Sequence, residues 1–151
     1  MIKIAIDPGS SSGSLVIKTG DEYLLYPFNK SDFYVIDNAL KLAKESDSVR
    51  CIIEKVHTMP GQGISSAGKF MENYGIMKGL LIANRIPFKE VPPQTWMKVL
   101  PINKKYSNET KTQWKNRLMQ HAKQLVPDLK IVHTTADAIL MIEYFDQIYN
   151  K

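Results

Sequence analysis

Apolar and polar positions fall into blocks along the chain, and the blocks predict an α/β protein. Three short apolar segments come first, separated by turns rich in Gly, Ser and Asp, which is the pattern of an antiparallel β-meander. The predicted strands cover Ile2 to Asp7, Ser14 to Lys18 and Glu22 to Pro27. Helical spacing of apolar residues then predicts a helix from about Asp32 to Glu45, capped by Ser31.

The rest of the chain predicts two more strands and several helices. The β-branched run VRCIIE is typical of a buried central strand, and IPFKEV predicts another strand. A proline pair then breaks the chain before a short helix at QTWMKVL. The longer predicted helices run from about Ser65 to Asn84, from Glu109 to Val126, and from Thr135 to Tyr149.

This order of elements indicates a particular architecture. Three strands, a helix, a strand, a helix, a strand and further helices is the order of the ribonuclease-H-like fold. That fold is a mixed five-stranded sheet with strand order 3-2-1-4-5 and helices on both faces. We therefore expect one α/β domain of this kind over residues 1–151.

Two of the predicted strands end on a carboxylate. Asp7 ends the first strand and Glu54 the fourth, and neighbouring parallel strands bring their carboxyl ends to one edge of a sheet. Asp137, in the first turn of the last helix, supplies a third acid, and His133 precedes it by four residues. Gathered carboxylates repel one another unless cations neutralise them, and hard oxygen ligands select Mg²⁺ or Mn²⁺. The sequence predicts a site holding two such ions, about 3.5–4 Å apart, for phosphodiester hydrolysis.

Each of these residues also has a purely structural explanation. Asp7 precedes Pro-Gly and could be a turn residue. Glu54 could pair with Lys55, and Asp137 could be a helix N-terminal charge favoured by the macrodipole. His133 could belong to a loop or cap. The three acids together, on this topology, favour a site.

The charge of the chain favours an anionic partner such as nucleic acid. There are 20 Lys+Arg against 15 Asp+Glu, a net charge of +5, and the pI is near 9.2. A stretch with one acid, Glu109, is rich in basic residues, which could line a solvated helix face or contact DNA phosphates: Lys104, Lys105, Lys111, Lys115, Arg117 and Lys123. One cysteine, Cys51, excludes an intrachain disulfide, and no apolar run approaches the roughly 18 residues of a membrane span. We expect a cytoplasmic protein with no membrane partner.

Four segments resemble the RuvC-like Holliday junction resolvases, in particular the short phage-encoded branch. In family order they are IAIDPGSSSGSLVI, IIEKVHTMPGQGISSAGKFMENYGIMKGLLIA, IPFKEVPPQTWMKVL and HTTADAILMIEY. The resemblance implies a homodimeric crossover junction endodeoxyribonuclease, Mg²⁺-dependent, that nicks four-way DNA junctions symmetrically, in the host cytoplasm if phage-encoded. It maps the catalytic acids onto Asp7, Glu54 and Asp137, and it places a further catalytic residue at His133. We expect His133 to assist either the metal or the proton transfer, and the missing second aspartate favours a role as metal ligand.

Two positions depart from the family pattern. Bacterial members carry two aspartates three residues apart at the start of the last helix, and the earlier position here is Thr134. They also have an aromatic residue just after the catalytic Glu that stacks at the junction, whereas this chain has His57. We still take His57 and Gln62, in the loop after Glu54, as DNA contacts.

The helix after that loop carries an apolar stripe. Phe70, Tyr74, Met77 and Leu81 follow one another at spacings of four, three and four, and core packing explains most stripes of this kind. The family places its dimer interface on this helix, and glycines at 68, 75 and 79 would allow close approach. We expect a homodimer formed through the helix around Phe70 to Leu81.

Three other functions remain open. One is a less selective nuclease on the same fold that acts on flaps, replication forks or linear DNA. Another is a junction-binding protein without catalysis, which three acids argue against. The third is an actin-like ATPase with DPGSSSGS as its phosphate loop, which would need a second domain that 151 residues do not supply. In the nuclease, Gly9 and Gly13 of that segment would leave room for a phosphate backbone.

Overall fold

A mixed five-stranded sheet forms the centre of the fold. The computed structural model describes residues 1–9, 11–29, 32–46, 48–58, 61, 63–102 and 104–149. Strands β1 (Ile2–Asp7), β2 (Ser12–Thr19) and β3 (Glu22–Asn29) form an antiparallel meander, and β4 (Val49–Glu54) and β5 (Phe88–Val91) extend it in parallel. The strand order is β3-β2-β1-β4-β5, which confirms the predicted order and the ribonuclease-H-like fold.

Helices cover both faces of this sheet. Helices α1 (Phe33–Ala43) and α2 (Ile64–Ala83) pack on one face, and α3 (Pro93–Met97), α4 (Lys111–Leu125) and α5 (His133–Tyr149) pack on the other. Each face has its own buried hydrophobic cluster. No helix in the described part of the chain is long and apolar enough to span a membrane.

The alternation of side chains along β1 decides which residues face α5. Ile4 and Ile6 are buried in the cluster that contains α1 and α2, whereas Ala5 is buried in the cluster that contains α5. Successive side chains of a strand point to opposite faces, so Asp7 shares the face of Ala5. By the same rule Glu54 shares the face of Ile52, which belongs to the α5 cluster. The period of two therefore directs both strand-terminal acids toward α5.

Helix α5 begins two residues earlier than the sequence predicts. The Oγ1 atom of Thr135 accepts a hydrogen bond from the backbone N–H of Val132 (3.1 Å) and donates one to its carbonyl oxygen (3.0 Å). This local bonding makes His133 the first helical residue. Asp137 therefore lies in the second turn, and the prediction that it lies in the first turn was wrong. The explanation of Asp137 as a helix N-terminal charge loses its basis.

Other boundaries differ from the prediction by a few residues. Helix α4 begins at Lys111, after a capping box in which Thr110 and Gln113 exchange side-chain and backbone hydrogen bonds, and not at Glu109. Strand β5 begins at Phe88, so it is shorter than IPFKEV. The N-cap of α1 is Asp32, and Ser31 lies outside the described residues.

The apolar stripe of α2 packs inside the protomer. Tyr74, Met77 and Leu81 are buried in the cluster beneath α1 and α2, and Phe70 packs against it. A different side of the helix faces outward. It carries three glycines with open space around them (Gly68, Gly75, Gly79) and three exposed apolar side chains (Ile64, Met71, Ile82). Any partner of α2 would meet this outward side.

Candidate active site

Three acids converge where the carboxyl ends of β1 and β4 meet α5. Ile6 pairs with Ile53 across the parallel strands, so Asp7 and Glu54 follow at neighbouring positions. Asp137 projects from α5 and is 7% exposed. Asp7 and Glu54 each interact electrostatically with Asp137, and Glu54 also interacts with Asp7. The structure therefore brings together the three acids that the sequence singled out.

Each acid has a different set of partners. The Oδ1 atom of Asp7 accepts a hydrogen bond from the backbone N–H of Gly9 (3.2 Å). The Oε2 atom of Glu54 accepts one from the indole Nε1–H of Trp96 (2.9 Å). The Oδ2 atom of Asp137 forms an ion pair with the Nζ atom of Lys115, while its Oδ1 atom is buried and has no hydrogen-bond partner among the described residues. The buried Oδ1 atom of Asp137 is thus left for a ligand.

Asp7 and Glu54 hold protons more tightly than free carboxyl groups do. Burial, together with the neighbouring Asp137 carboxylate, raises the pKa of Asp7 to about 7. Burial and the Asp7 carboxylate raise the pKa of Glu54 to about 8, although the Trp96 hydrogen bond acts in the opposite direction. A bound cation would favour the ionised forms of Asp7 and Glu54 and would oppose this effect of burial and mutual repulsion.

Lys115 lies in the site rather than on an outer face of α4. Its Nζ atom pairs with Asp137 and interacts electrostatically with Asp7 and Glu54. Burial lowers the pKa of the Lys115 ammonium, but these carboxylates outweigh burial and the net pKa is raised. The sequence placed Lys115 among the DNA-contacting residues because the apolar pattern of α4 leaves it off the core side. The apolar pattern of α4 carries no information about Asp137, the acid on the neighbouring helix α5.

Trp96 is a site residue that sequence reasoning missed. It is fully buried in α3, and its indole N–H reaches the Glu54 carboxylate. Val91 at the end of β5 pairs with Glu54, and Pro92 and Pro93 turn the chain directly into α3, which returns Trp96 to this position. The predicted alternative, pairing of Glu54 with Lys55, was wrong, since no ion pair to Glu54 forms within the described segments.

The glycines after Asp7 are required by the turn itself. Gly9 has a φ of 58°, and a Cβ atom there would lie 1.7 Å from the carbonyl oxygen of Ser12. A Cβ atom on Gly13 would lie 2.3 Å from the carbonyl oxygen of Asp7. The chain's own backbone fills the space that we expected to be left for a phosphate. The turn also directs the Gly9 N–H toward Asp7, so the structural explanation of Asp7 holds beside the functional one.

The remaining predicted site residues lie outside the acidic group. His133 is exposed at the start of α5, and its side chain makes no hydrogen bond or ion pair with the described residues. His57 is exposed in the loop after β4. Gln62 lies outside the described residues.

The predicted basic surface divides into two parts. Lys104, Lys105 and Lys111 are exposed around the start of α4. Arg117, in contrast, forms two 2.9 Å hydrogen bonds with the carboxylate of Glu109, and its guanidinium lies over the rings of Tyr106 and Trp114. Arg117 therefore holds the loop before α4 in place. The exposed lysines around the start of α4 and the exposed Lys123 near its end remain as candidates for DNA contact.

The donor set suits a hard divalent cation, although no three His, Cys, Asp or Glu side chains in the described ranges are arranged as a ready metal site. Lys115 occupies one oxygen of Asp137, and Trp96 occupies one of Glu54. The remaining oxygens include the buried, unpartnered Oδ1 atom of Asp137. Carboxylate oxygens of this kind are ligands that Mg²⁺ and Mn²⁺ prefer, so the residues fit such an ion.

Comparison with solved structures gives the fold a second line of support. The chain is similar to Thermus thermophilus RuvC, with a TM-score of 0.59 and 12% sequence identity over 98% of this chain and 96% of that one. It is also similar to T. thermophilus RuvC in complex with Holliday junction substrate, with a TM-score of 0.63 and 14% identity over the same shares. No protein-family model and no curated protein matches the sequence. The chain thus has the RuvC-like form of the ribonuclease-H-like fold.

Proposed function

We propose that this protein is a divalent-metal-dependent endodeoxyribonuclease that binds branched DNA and nicks it, chiefly at four-way junctions. The observation that carries the proposal is the convergence of Asp7, Glu54 and Asp137 at the sheet edge under α5. Three acids at the same place on this fold, with one oxygen unpartnered, are not needed for stability. Their mutual repulsion instead destabilises the metal-free protein.

In this proposal the three acids hold Mg²⁺, with Mn²⁺ able to replace it. The bound cation supplies charge stabilisation and an activated water for hydrolysis of a phosphodiester. Trp96 fixes the orientation of the Glu54 carboxylate, and the Gly9 N–H fixes that of Asp7. Both bonds occupy one oxygen and leave the other for the cation. Residues 1–151 would act as one nuclease domain.

His133 would serve proton transfer rather than hold the cation. It precedes Asp137 by one helical turn and is exposed, which leaves its imidazole accessible to DNA. Its side chain is bonded to none of the three acids within the described structure. An imidazolium can donate a proton to a leaving oxygen, and its unperturbed pKa of about 6.5 allows that role near neutral pH.

The exposed lysines around the start of α4 would bind the DNA backbone. Lys111 lies on the helix whose Lys115 reaches the acidic site, and Lys104 and Lys105 lie in the loop that precedes this helix. Phosphate contacts near the acids would position a strand without reading its sequence. His57 and Gln62 would add contacts from the loop after Glu54.

A second copy of the chain would bind the outward side of α2. The three open glycines would let another helix approach closely, and Ile64, Met71 and Ile82 are exposed at 92%, 41% and 65%. A symmetric dimer would present its two sites to two symmetry-related strands of a four-way junction. The molar mass in solution by light scattering tests this step.

The test of the proposal is cleavage by the purified protein of four end-labelled substrates. They are a four-way junction, a linear duplex of matching sequence, a flap and a fork, each with Mg²⁺ and with EDTA. We expect Mg²⁺-dependent symmetric nicking of the junction and much slower cleavage of the linear duplex.

Other results would lead to different conclusions. Equal rates on all four substrates would indicate the less selective nuclease. Tight junction binding without cleavage in either Mg²⁺ or Mn²⁺ would indicate a binding protein and would contradict the proposal.

A further inference from the structure

The ammonium group of Lys115 lies among the residues that would hold the metal. Its Nζ atom pairs with the Oδ2 atom of Asp137 and interacts electrostatically with both Asp7 and Glu54. The Lys115 side chain is 38% exposed and that of Asp137 is 9% exposed, so the pair is shielded from water mainly on the acid's side. A fixed positive charge therefore already stands inside the acidic group.

The charges of this group favour one divalent ion over two. With all three acids ionised, as metal ligands are, three carboxylates and one ammonium leave two negative charges, which a single divalent ion neutralises. A second divalent ion would leave two uncompensated positive charges in a partly buried site, which is unfavourable. The chain offers no further carboxylate at the start of α5, where Thr134 and the exposed His133 stand.

Asp137 shows how the two kinds of cation would share one acid. Its Oδ2 atom is taken by Lys115, whereas its Oδ1 atom is buried and unpartnered among the described residues. An unpartnered buried carboxylate oxygen is costly, so a missing ligand at Oδ1 is the simplest reason for it. One oxygen would bind the ammonium and the other would bind the ion.

We propose that the Lys115 ammonium takes the place of a second divalent ion, so that the site holds one ion with Asp7, Glu54 and the Oδ1 atom of Asp137 as its protein ligands. This proposal rests on the metal-dependent function proposed above. It replaces the expectation of two ions per site.

The first experiment counts Mn²⁺ ions bound to the wild-type protein without DNA. Isothermal titration gives the number of ions per chain, and electron paramagnetic resonance shows whether two ions lie close enough to couple magnetically. We expect one Mn²⁺ per chain and no coupled pair. Two ions per chain with a coupled spectrum would overturn the proposal.

The second experiment removes the ammonium. Lys115→Met should bind Mn²⁺ at least about tenfold more tightly than wild type, since a positive charge a few ångströms away no longer repels the ion. Lys115→Arg, which keeps the charge, should stay near wild type. Lys111→Met is the matched control, because Lys111 is exposed one turn earlier on α4. Unchanged or weaker Mn²⁺ binding by folded Lys115→Met would overturn the proposal.

The two experiments distinguish a failure of the role proposed for Lys115 from a failure of the proposed nuclease function. The wild-type count needs no variant, so it remains decisive even if Lys115→Met fails to fold. Two bound ions together with junction cleavage would reject the role of Lys115 and leave the nuclease standing. Absence of any Mn²⁺ binding would reject both.

Discussion

Replacing Trp96 with phenylalanine removes one N–H group from the candidate site and keeps an aromatic ring in the core. The indole is fully buried, and its Nε1 atom lies 2.9 Å from the Oε2 atom of Glu54. A hydrogen bond to a charged group contributes about 1.5–3 kcal/mol. Because this bond stabilises the ionised form of Glu54, its loss should raise the pKa of that carboxyl further.

The size of the change follows from the same bond. One pKa unit corresponds to about 1.4 kcal/mol, so the loss amounts to about one to two units above a pKa that is already about 8 in the metal-free protein. A carboxyl with a higher pKa needs a higher pH to ionise and to bind a cation. The pH midpoints of Mn²⁺ binding and of cleavage should therefore both move upward by about one to two units in Trp96→Phe.

Calorimetric Mn²⁺ titrations over a range of pH would measure this shift. Trp114→Phe is the matched control, because Trp114 is half-buried on α4 and stacks on Arg117 without a hydrogen bond to the acids. Circular dichroism and thermal melting would establish that both variants are folded. The reasoning would be refuted by a folded Trp96→Phe protein whose pH midpoints equal those of Trp114→Phe.

The acids, the exposed lysines and His133 each allow a further prediction. Because the pKa values of Asp7 and Glu54 are raised, the folded metal-free protein binds more protons than the unfolded chain. Its melting temperature in EDTA should therefore fall as the pH rises from about 4 to 8. Asp7→Asn should flatten this pH dependence, and equal slopes of melting temperature against pH in wild type and Asp7→Asn would contradict the prediction. Changing Lys104, Lys105 and Lys111 to Ala should weaken binding to every DNA. The slope of the logarithm of the binding constant against the logarithm of the salt concentration should become shallower by up to about 0.9 for each lost phosphate contact. An unchanged slope would indicate that these lysines only face solvent. His133→Ala and His133→Asp should both lose about 10²–10⁴-fold in cleavage rate while keeping Mn²⁺ affinity; retained activity in His133→Asp would indicate metal binding instead.

The strands and two of the acids were predictable because local sequence pattern marks where each strand ends. The apolar segments of β1 and β4 each end on a carboxylate, and parallel pairing brings Asp7 and Glu54 to one edge. The strand order followed from the order of elements. These features depend on local pattern and on chain topology, and both can be read from a sequence.

The details that sequence reasoning missed depend on contacts between distant residues. The inward direction of Lys115 is decided by Asp137, 22 residues away on α5, and the position of Trp96 is decided by Glu54, 42 residues away. Apolar periodicity identifies which side of a helix packs on a core, but it does not identify which polar side chain meets an acid. The early start of α5 is a local effect of Thr135, whose side chain competes for the backbone of Val132.

Single-turnover cleavage of a four-way junction by wild type and by Asp7→Asn, Glu54→Gln and Asp137→Asn tests whether the three acids form the active site. Junction binding is measured in parallel in EDTA, where no cleavage competes. Each variant should lose cleavage while its junction affinity stays close to that of wild type, since the acids bind the cation and not the DNA. Near-normal cleavage by any one of the three variants would contradict the assignment of that acid to the site.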